Sequence, residues 1–199
     1  FATGGQGEDG LAAAERALTL DSNLAEAHAI KARILSEGGR HDAASAEIEI
    51  ALALDPESFE VNRAAAYLRF RQKRTKDAIL HFEKAQSLME TDVSSGNMLM
   101  TCYTALGDSA AAQRQAQITV ARAQKALAQD PSNGAAMGFC CYALALLGQA
   151  ESAKGWMSRA LLIDPDNMNM RYNFACTLAT QLKDADGAIA LLGPLFEKI

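Results

Sequence analysis

The chain has 199 residues, with 24 acidic and 19 basic side chains and a formal charge of −5, which excludes a basic nucleic-acid footprint. Its 49% hydrophobic content excludes a disordered chain, and four cysteines exclude a disulfide-rich scaffold. About a fifth of the residues are alanine and only four are proline, while the β-branched residues are scarce, so the composition reads as all helical. The longest uncharged stretch, Pro131–Ala150, has an apolar part, Met137–Leu147, that is too short to span a bilayer. The opening Phe1–Gly7 lacks both the basic end and the apolar run of a signal peptide. It also does not start with Met, so the chain is expected to be a fragment of a longer protein.

In chain order, Gly4, Gly5 and Gly7 lack the Lys-Ser/Thr of a phosphate loop and read as the end of a truncated helix plus a turn. An apolar-periodic stretch then runs from Ala25 to Glu37, followed by a turn at Gly38-Gly39 and a second helix from about His41 to Leu54. Asp55-Pro56 ends that helix, because proline disfavours α geometry in the residue before it. The ending Ala51–Pro56 returns as Ala126–Pro131 and Ala160–Pro165, and as Ala17–Ser22 without the proline. Ser22 to Pro56 is 34 residues, and Pro131 to Pro165 is 34 again. A column of Ala44, Ala78, Ala112, Ala153 and Ala188 advances by 34, 34, 41 and 35. Ile48, Phe82 and Met157 each lie four residues after their column alanine, and Gly39, Gly107 and Gly148 form a turn column with Lys73 and Lys183 in its gaps.

These columns divide the chain into units at about 1–24 (partial), 25–58, 59–92, 93–133 (extended), 134–167 and 168–199. Small or slim residues (Ala32, Ala66, Met100, Cys141, Ala175) fall in the middle of each first helix and allow close approach. One such pair cannot bury its own apolar face, so neighbours must stack. The surplus of seven residues lies between Ala112 and Ala126, in a stretch without glycine or proline. Seven residues are nearly two helical turns, so an unbroken helix from about Ser109 to Gln129 is expected, either projecting beyond its neighbours or pushing the next pair outward. At the C-terminus, Leu191–Pro194 is expected to end a short helix, with Leu195–Ile199 beginning a cap.

The period of 34, the helix–turn–helix pattern, the column alanine with its large partner four residues later and the closing Asp-Pro together resemble tetratricopeptide (TPR) repeats. The resemblance covers about residue 5 to the C-terminus and departs from the family in lacking its early Trp. It implies an all-α, right-handed superhelical solenoid: a single array of about five helix–turn–helix units and about eleven helices. Leu161–Ala179 resembles the closing repeats of bacterial signalling proteins whose arrays follow a class III adenylate/guanylate cyclase, a kinase or a winged-helix regulator. Glu57–Thr104 is similar to the cyclase-linked arrays. The resemblance implies a cytoplasmic, non-catalytic module that binds a protein or peptide in its concave groove. A homodimerising element of the parent protein is the alternative.

No constellation for catalysis, cofactor or metal is legible. His28, His41 and His81 show no ligand spacing with one another or with an acid, and Cys102, Cys140, Cys141 and Cys176 read as buried thiols of a reducing compartment. The basic run Arg69–Arg74 reads as a solvated helix end rather than a nucleic-acid patch. Trp156 is expected off the main seam, covering a neighbouring helix or marking a contact patch. Binding residues are expected on the first helices, at positions turned away from the packed columns. These are Arg33, Arg63, Tyr67 and Phe70, then Asn97 and Thr101, then Phe139, Tyr142, Tyr172 and Asn173. Aromatic, Arg and Asn side chains are types favoured at interfaces, though each aromatic here could equally be a packing residue. The places matching a chaperone-type carboxylate clamp hold Ala29, Arg33, Ala64, Asn97 and Met98, which disfavours an acidic tail as ligand.

Overall fold

The computed structural model describes the backbone of residues 4–196 and the side chains of residues 7–194. Every regular element among them is helical: α1 (Gly4–Leu20), α2 (Ala25–Glu37), α3 (His41–Leu54), α4 (Phe59–Arg71), α5 (Thr75–Leu88), α6 (Ser94–Ala105), α7 (Ser109–Gln129), α8 (Gly134–Leu146), α9 (Ala150–Ile163), α10 (Met168–Thr177), a π-helical segment Leu178–Leu182 and α11 (Ala185–Phe196). They form two compact units, Phe1–Glu90 and Thr91–Ile199. The division falls at Glu90, where the closing proline is missing. The expected turn at the N-terminus is absent, since Gly4, Gly7 and Gly10 all lie inside α1. At Gly10 the two helices approach closely, since a Cβ there would stand 3.1 Å from the end of the Ile34 side chain of α2.

In the first unit α2 packs on α1, α3 and α4, and α4 packs on α5. The expected columns form the core. Ala32 and Ala66 are buried on the first helices, and Ala44, Ile48, Ala51, Ala78, Phe82 and Ala85 on the second. In the second unit α8 is the hub, packed on α6, α7, α9 and α10. Met100, Cys141 and Ala175 are its buried mid-helix residues, and Met157, Phe174 and Ala188 fill the space beside them. Trp156 is half-buried against this core, with the Arg159 guanidinium 5.1 Å over its ring, so it covers a neighbouring helix.

Each first helix ends in the same device. Gly39, Lys73, Gly107 and Gly148 have φ of +76°, +60°, +75° and +73°. Their N–H groups donate to Ser36, Phe70, Thr104 and Ala145, and the next residue's N–H reaches back to Leu35, Arg69, Tyr103 and Leu144. This is the paired closure of a Schellman cap, which leaves a left-handed residue outside the helix. Glycine adopts that conformation freely, whereas lysine pays a steric penalty for it. In the last pair the motif is one residue longer. Asp184 N–H donates to Leu178 across the π segment, and Lys183 is left-handed at φ +57°. The single residue by which this pair exceeds 34 is therefore absorbed as a π turn.

The seven surplus residues are absorbed as helix. α7 runs unbroken over 21 residues, and its extra turns do not project free. Ala123 packs with Cys140 and Leu144, and Leu127 with Met137 and Cys141. Arg122 donates 3.1 Å to the Asp92 carbonyl. The C-terminal expectation is overturned, because α11 continues through Gly193 and Pro194 to Phe196. Pro194 lies in the last turn, so only the Ala190 carbonyl loses its helical donor, and Ala190 is exposed to water. The remainder of the expected cap, residues 197–199, lies outside the described residues.

Two polar bridges link first to second helices at positions 34 apart. His28 Nδ1 is 2.6 Å from Glu47 and its Nε2 is 3.1 Å from the Ser22 carbonyl, so this histidine does have an acid partner, contrary to its spacing in sequence. One unit later Asn62 Oδ1 meets His81 Nδ1 at 3.3 Å. Burial pushes His81 down, and the Arg69 charge adds to that. Arg69 itself is buried and paired with Glu49, which corrects its reading as a solvated helix end. Burial alone would raise the Glu47 carboxyl, but the bonds from Lys31 (2.8 Å) and His28 outweigh it and hold the group below its ordinary value of 4.5.

Two outcomes follow. Lys73→Gly should raise stability by about 0.5–1 kcal/mol, the left-handed strain removed less the entropy glycine adds to the unfolded chain. Thermal unfolding reads it as a higher midpoint, and an unchanged or lower midpoint overturns the account. Glu47→Gln should lower the midpoint at neutral pH. A carboxylate whose folded pKa is depressed stabilises above its unfolded pKa and loses that effect as pH falls through the folded value. The gap between wild type and variant should therefore be full above pH 4.5 and close below it. A gap independent of pH shows that the charge is not what matters.

Candidate functional site

The first helices of the second unit enclose a groove of about 570 Å³. α6 contributes Asn97 and Thr101, and α8 contributes Gly134, Gly138, Phe139 and Tyr142. α10 contributes Asn169, Asn173, Cys176 and Thr177 among others. Five of the expected binding residues thus share one site: Asn97, Thr101, Phe139, Tyr142 and Asn173. Tyr172 lies outside the lining, 55% exposed, but shares a hydrogen bond with the lining residue Cys176, which raises its hydroxyl pKa.

No lining residue of this groove is charged, in a chain that is 22% charged. The hydroxyls of Thr101 and Thr177 are occupied by the carbonyls of Asn97 and Asn173 in their own helices. The side-chain amides of Asn97, Asn169 and Asn173 bond no protein group among the described residues. Each offers a donor pair and an acceptor to a ligand. On α8, Gly134 and Gly138 form a bare strip, and a Cβ at either would meet nothing within 4 Å. Packing does not require these glycines, although Gly138 in mid-helix costs about 1 kcal/mol relative to alanine. They leave the helix backbone open to close approach.

In the first unit Arg33, Arg63 and Tyr67 line two adjoining depressions of about 140 and 190 Å³. Phe70 is half-buried and lies outside both linings. This face is charged and largely engaged by its own residues. Arg63 bonds Glu60 at 2.7 Å and stands 5.4 Å over the Phe59 ring, and Arg33 is 3.4 Å from Glu37. Tyr67 sets its ring edge-on to buried Phe82 with centroids 5.2 Å apart, so it packs as well as lines the surface. A further depression of about 600 Å³ between α1 and α2 is as large as the groove, but it brings Glu8, Glu37, Arg33 and Arg40 together rather than free amides.

Sequence reasoning missed Gly134, Gly138, Asn169 and Cys176. Two glycines four apart in a helical pattern were the available signal for the strip. Cys176 is exposed on the groove, which corrects its reading as a buried thiol. Cys102, Cys140 and Cys141 are buried, and burial pushes the Cys102 and Cys140 thiols up to about 11, far from a nucleophilic thiolate. Among the described residues, no three His, Cys, Asp or Glu side chains are placed to hold a metal ion. No helix among them is long and apolar enough to cross a membrane.

No family model matches the sequence, and no curated protein matches it. Solved structures do. YrrB, described as a TPR protein with an unusual peptide-binding site, aligns over 90% of this chain and 89% of its own at 22% identity and a TM-score of 0.58. Pseudomonas aeruginosa PilF aligns over 97% and 86% at 18% identity and a TM-score of 0.68. Human IFIT1, solved as a dimer with m7Gppp-AAAA, aligns over 94% of this chain at 17% identity and a TM-score of 0.70, but this chain spans only 45% of it. The chain therefore has the all-helical fold of TPR solenoids.

Gly138→Ala should raise the thermal midpoint by the equivalent of about 1 kcal/mol, since the new methyl enters open space and improves the helix. A lower midpoint would show that the strip is closed by packing.

Proposed function

We propose that this chain is a non-catalytic protein-interaction module that takes an extended, uncharged segment of a partner protein into the groove of α6, α8 and α10. The observation that carries the reading is the set of free Asn97, Asn169 and Asn173 amides facing an uncharged groove with a bare glycine strip. An extended peptide presents backbone N–H and C=O groups at regular spacing, and a side-chain amide can bond both. Phe139 and Tyr142 supply apolar area for the segment's side chains, and the strip lets its backbone approach α8. Charged side chains would lose hydration in this groove without finding a partner. YrrB, with the same fold, is described as having a peptide-binding site, which supports the class of ligand. The resemblance of Leu161–Ala179 to closing repeats of bacterial signalling proteins supports a regulatory or scaffolding role for the module, in the cytoplasm, beside an effector domain of the parent protein.

Self-association of the parent is the second reading. It rests on Leu162 and Ile189 of the second unit, exposed at 84% and 68%. Light scattering over a range of concentrations decides it: a mass that stays monomeric removes this reading.

The groove reading is tested by selecting peptides from a random display library on the whole chain. Uncharged sequences should be enriched. Asn97→Ala with Asn173→Ala should weaken the selected peptides at least about tenfold, as expected for two lost hydrogen bonds. Gly138→Leu should abolish binding while the helical circular dichroism is kept. Enrichment of acidic or basic peptides, or indifference to these substitutions, overturns the reading.

A further inference from the structure

The first unit carries a second, chemically opposite site. Its depression of about 190 Å³ is lined by three arginines, Arg33, Arg63 and Arg71, with one carboxylate, Glu37, among the lining residues. Arg33 and Arg71 converge on the same Glu37 oxygen from 3.4 and 3.8 Å, both long for a charge-assisted bond. Glu37 therefore acts as a loosely held internal anion between two guanidinium groups. Two lining residues also carry buried donors with no partner among the described residues: the Ser36 hydroxyl, on a residue 96% buried, and the Arg63 Nε. A buried donor left unsatisfied costs about 1–3 kcal/mol, so this arrangement gains when an acceptor enters.

We propose that this depression is a phosphoryl-binding site, formed by Arg33, Arg63, Arg71 and Ser36 and kept shut in the free protein by Glu37. Glu60 answers Arg63 and Glu37 is shared by Arg33 and Arg71, so the three guanidinium groups keep one excess positive charge. A phosphate, with more charge and more acceptor oxygens than a carboxylate, can engage several of these forks at once and displace Glu37. Planar guanidinium forks suit phosphate oxygens, and the Ser36 hydroxyl adds a neutral donor at the floor. Glu37 is half-exposed and joined to both arginines by weak contacts, so it can turn to solvent when the ligand arrives. The site is independent of the uncharged groove, and neither proposal needs the other.

The experiment uses the whole chain labelled with 15N-arginine. The Nε–H resonances are followed during titration with inorganic phosphate, N-acetyl-phosphoserine amide, AMP and N-acetyl-glutamate amide at constant ionic strength. The resonances of Arg33, Arg63 and Arg71 should move together. Each phosphorylated probe should bind at least tenfold more tightly than the glutamate amide. Tightest binding by phosphoserine amide points to a modified protein as the source, and tightest binding by AMP to a small molecule; either outcome upholds the site. Arg71→Gln should remove at least tenfold of the phosphate affinity, and Ser36→Ala about threefold, with the helical signal unchanged. Glu37→Gln should tighten phosphate binding several-fold, because the internal competitor is gone. Equal affinity for the glutamate amide and the phosphorylated probes overturns the proposal. So does a Glu37→Gln variant that binds no better, or resonances that do not move. If Arg71→Gln unfolds the chain, the Glu37→Gln result alone decides.

Discussion

A pair of helices in this chain cannot bury its own apolar stripe, and everything else follows from keeping successive stripes in register. A mid-first-helix residue and the residue one turn past the column alanine must meet on the same side in each pair, one small and one large; in the third pair the sizes are exchanged, Met100 against Ala116. Ala32 with Ile48 and Cys141 with Met157 do so, and Ala66 and Phe82 at the same positions are buried as well. The repeat length can therefore change only by amounts that restore the helical phase. Seven residues do, at a drift of about 20°, and they lengthen α7 without moving its buried face. That is why Ala116 and Ala123, seven apart, are both fully buried. One residue does not restore the phase within an α-helix, so it is confined to a π turn after Thr177, where the ladder is about to end. The same constraint explains the turn column. A Schellman closure fixes the angle at which the second helix returns, and the left-handed residue is kept even where lysine must supply it.

The two units fill an equivalent position differently. Where the first unit bridges its helices with His28–Glu47 and Asn62–His81, one corresponding pair in the second is Met137 and Trp156, packed in one apolar cluster. A polar bridge of this kind adds little net stability, but it is expensive to leave half made. It therefore specifies which faces meet more than it strengthens them. An apolar pair gains from burial and tolerates many partners. At this position the first unit is accordingly specified by hydrogen bonds and an ion pair, and the pair of α8 and α9 by shape.

Most of the fold was legible because it depends on periodicity. The limits of α2, α3 and α7 follow from where the apolar stripe and the turn column fall. What was not legible depends on choices that periodicity does not record. The extra residue before Ala188 was visible as a step of 35, but nothing in Leu178–Leu182 announces a π turn rather than a longer loop. Pro194 looked like a helix start because proline favours that place. It equally fits a last turn, where the bond it removes belongs to a carbonyl already near water. The candidate site divides along the same line. The facing of Asn97, Phe139, Tyr142 and Asn173 follows from helical geometry alone. Engagement does not: Arg63 points toward the surface as expected, yet its bond to Glu60 and its place over Phe59 come from neighbours that only packing brings together.

That difference in engagement separates the two faces chemically. In the first unit the face carries opposite charges, Arg63 closely paired with Glu60 and Arg33 and Arg71 loosely with Glu37, so an incoming group must compete with an internal carboxylate or offer more charge than it does. In the second unit the groove has amides that no side chain among the described residues answers, together with a strip where no side chain stands. Competition there comes only from water, which bonds an exposed amide well but fits poorly against phenyl and phenol rings. A segment that replaces those waters bond for bond, while covering Phe139 and Tyr142, gains the apolar term at little polar expense. Charge would forfeit that gain, because its desolvation finds no counter-ion along the groove. On the proposed readings, selectivity by the second face comes from what it lacks, and selectivity by the first from the strength of the charge needed to displace Glu37.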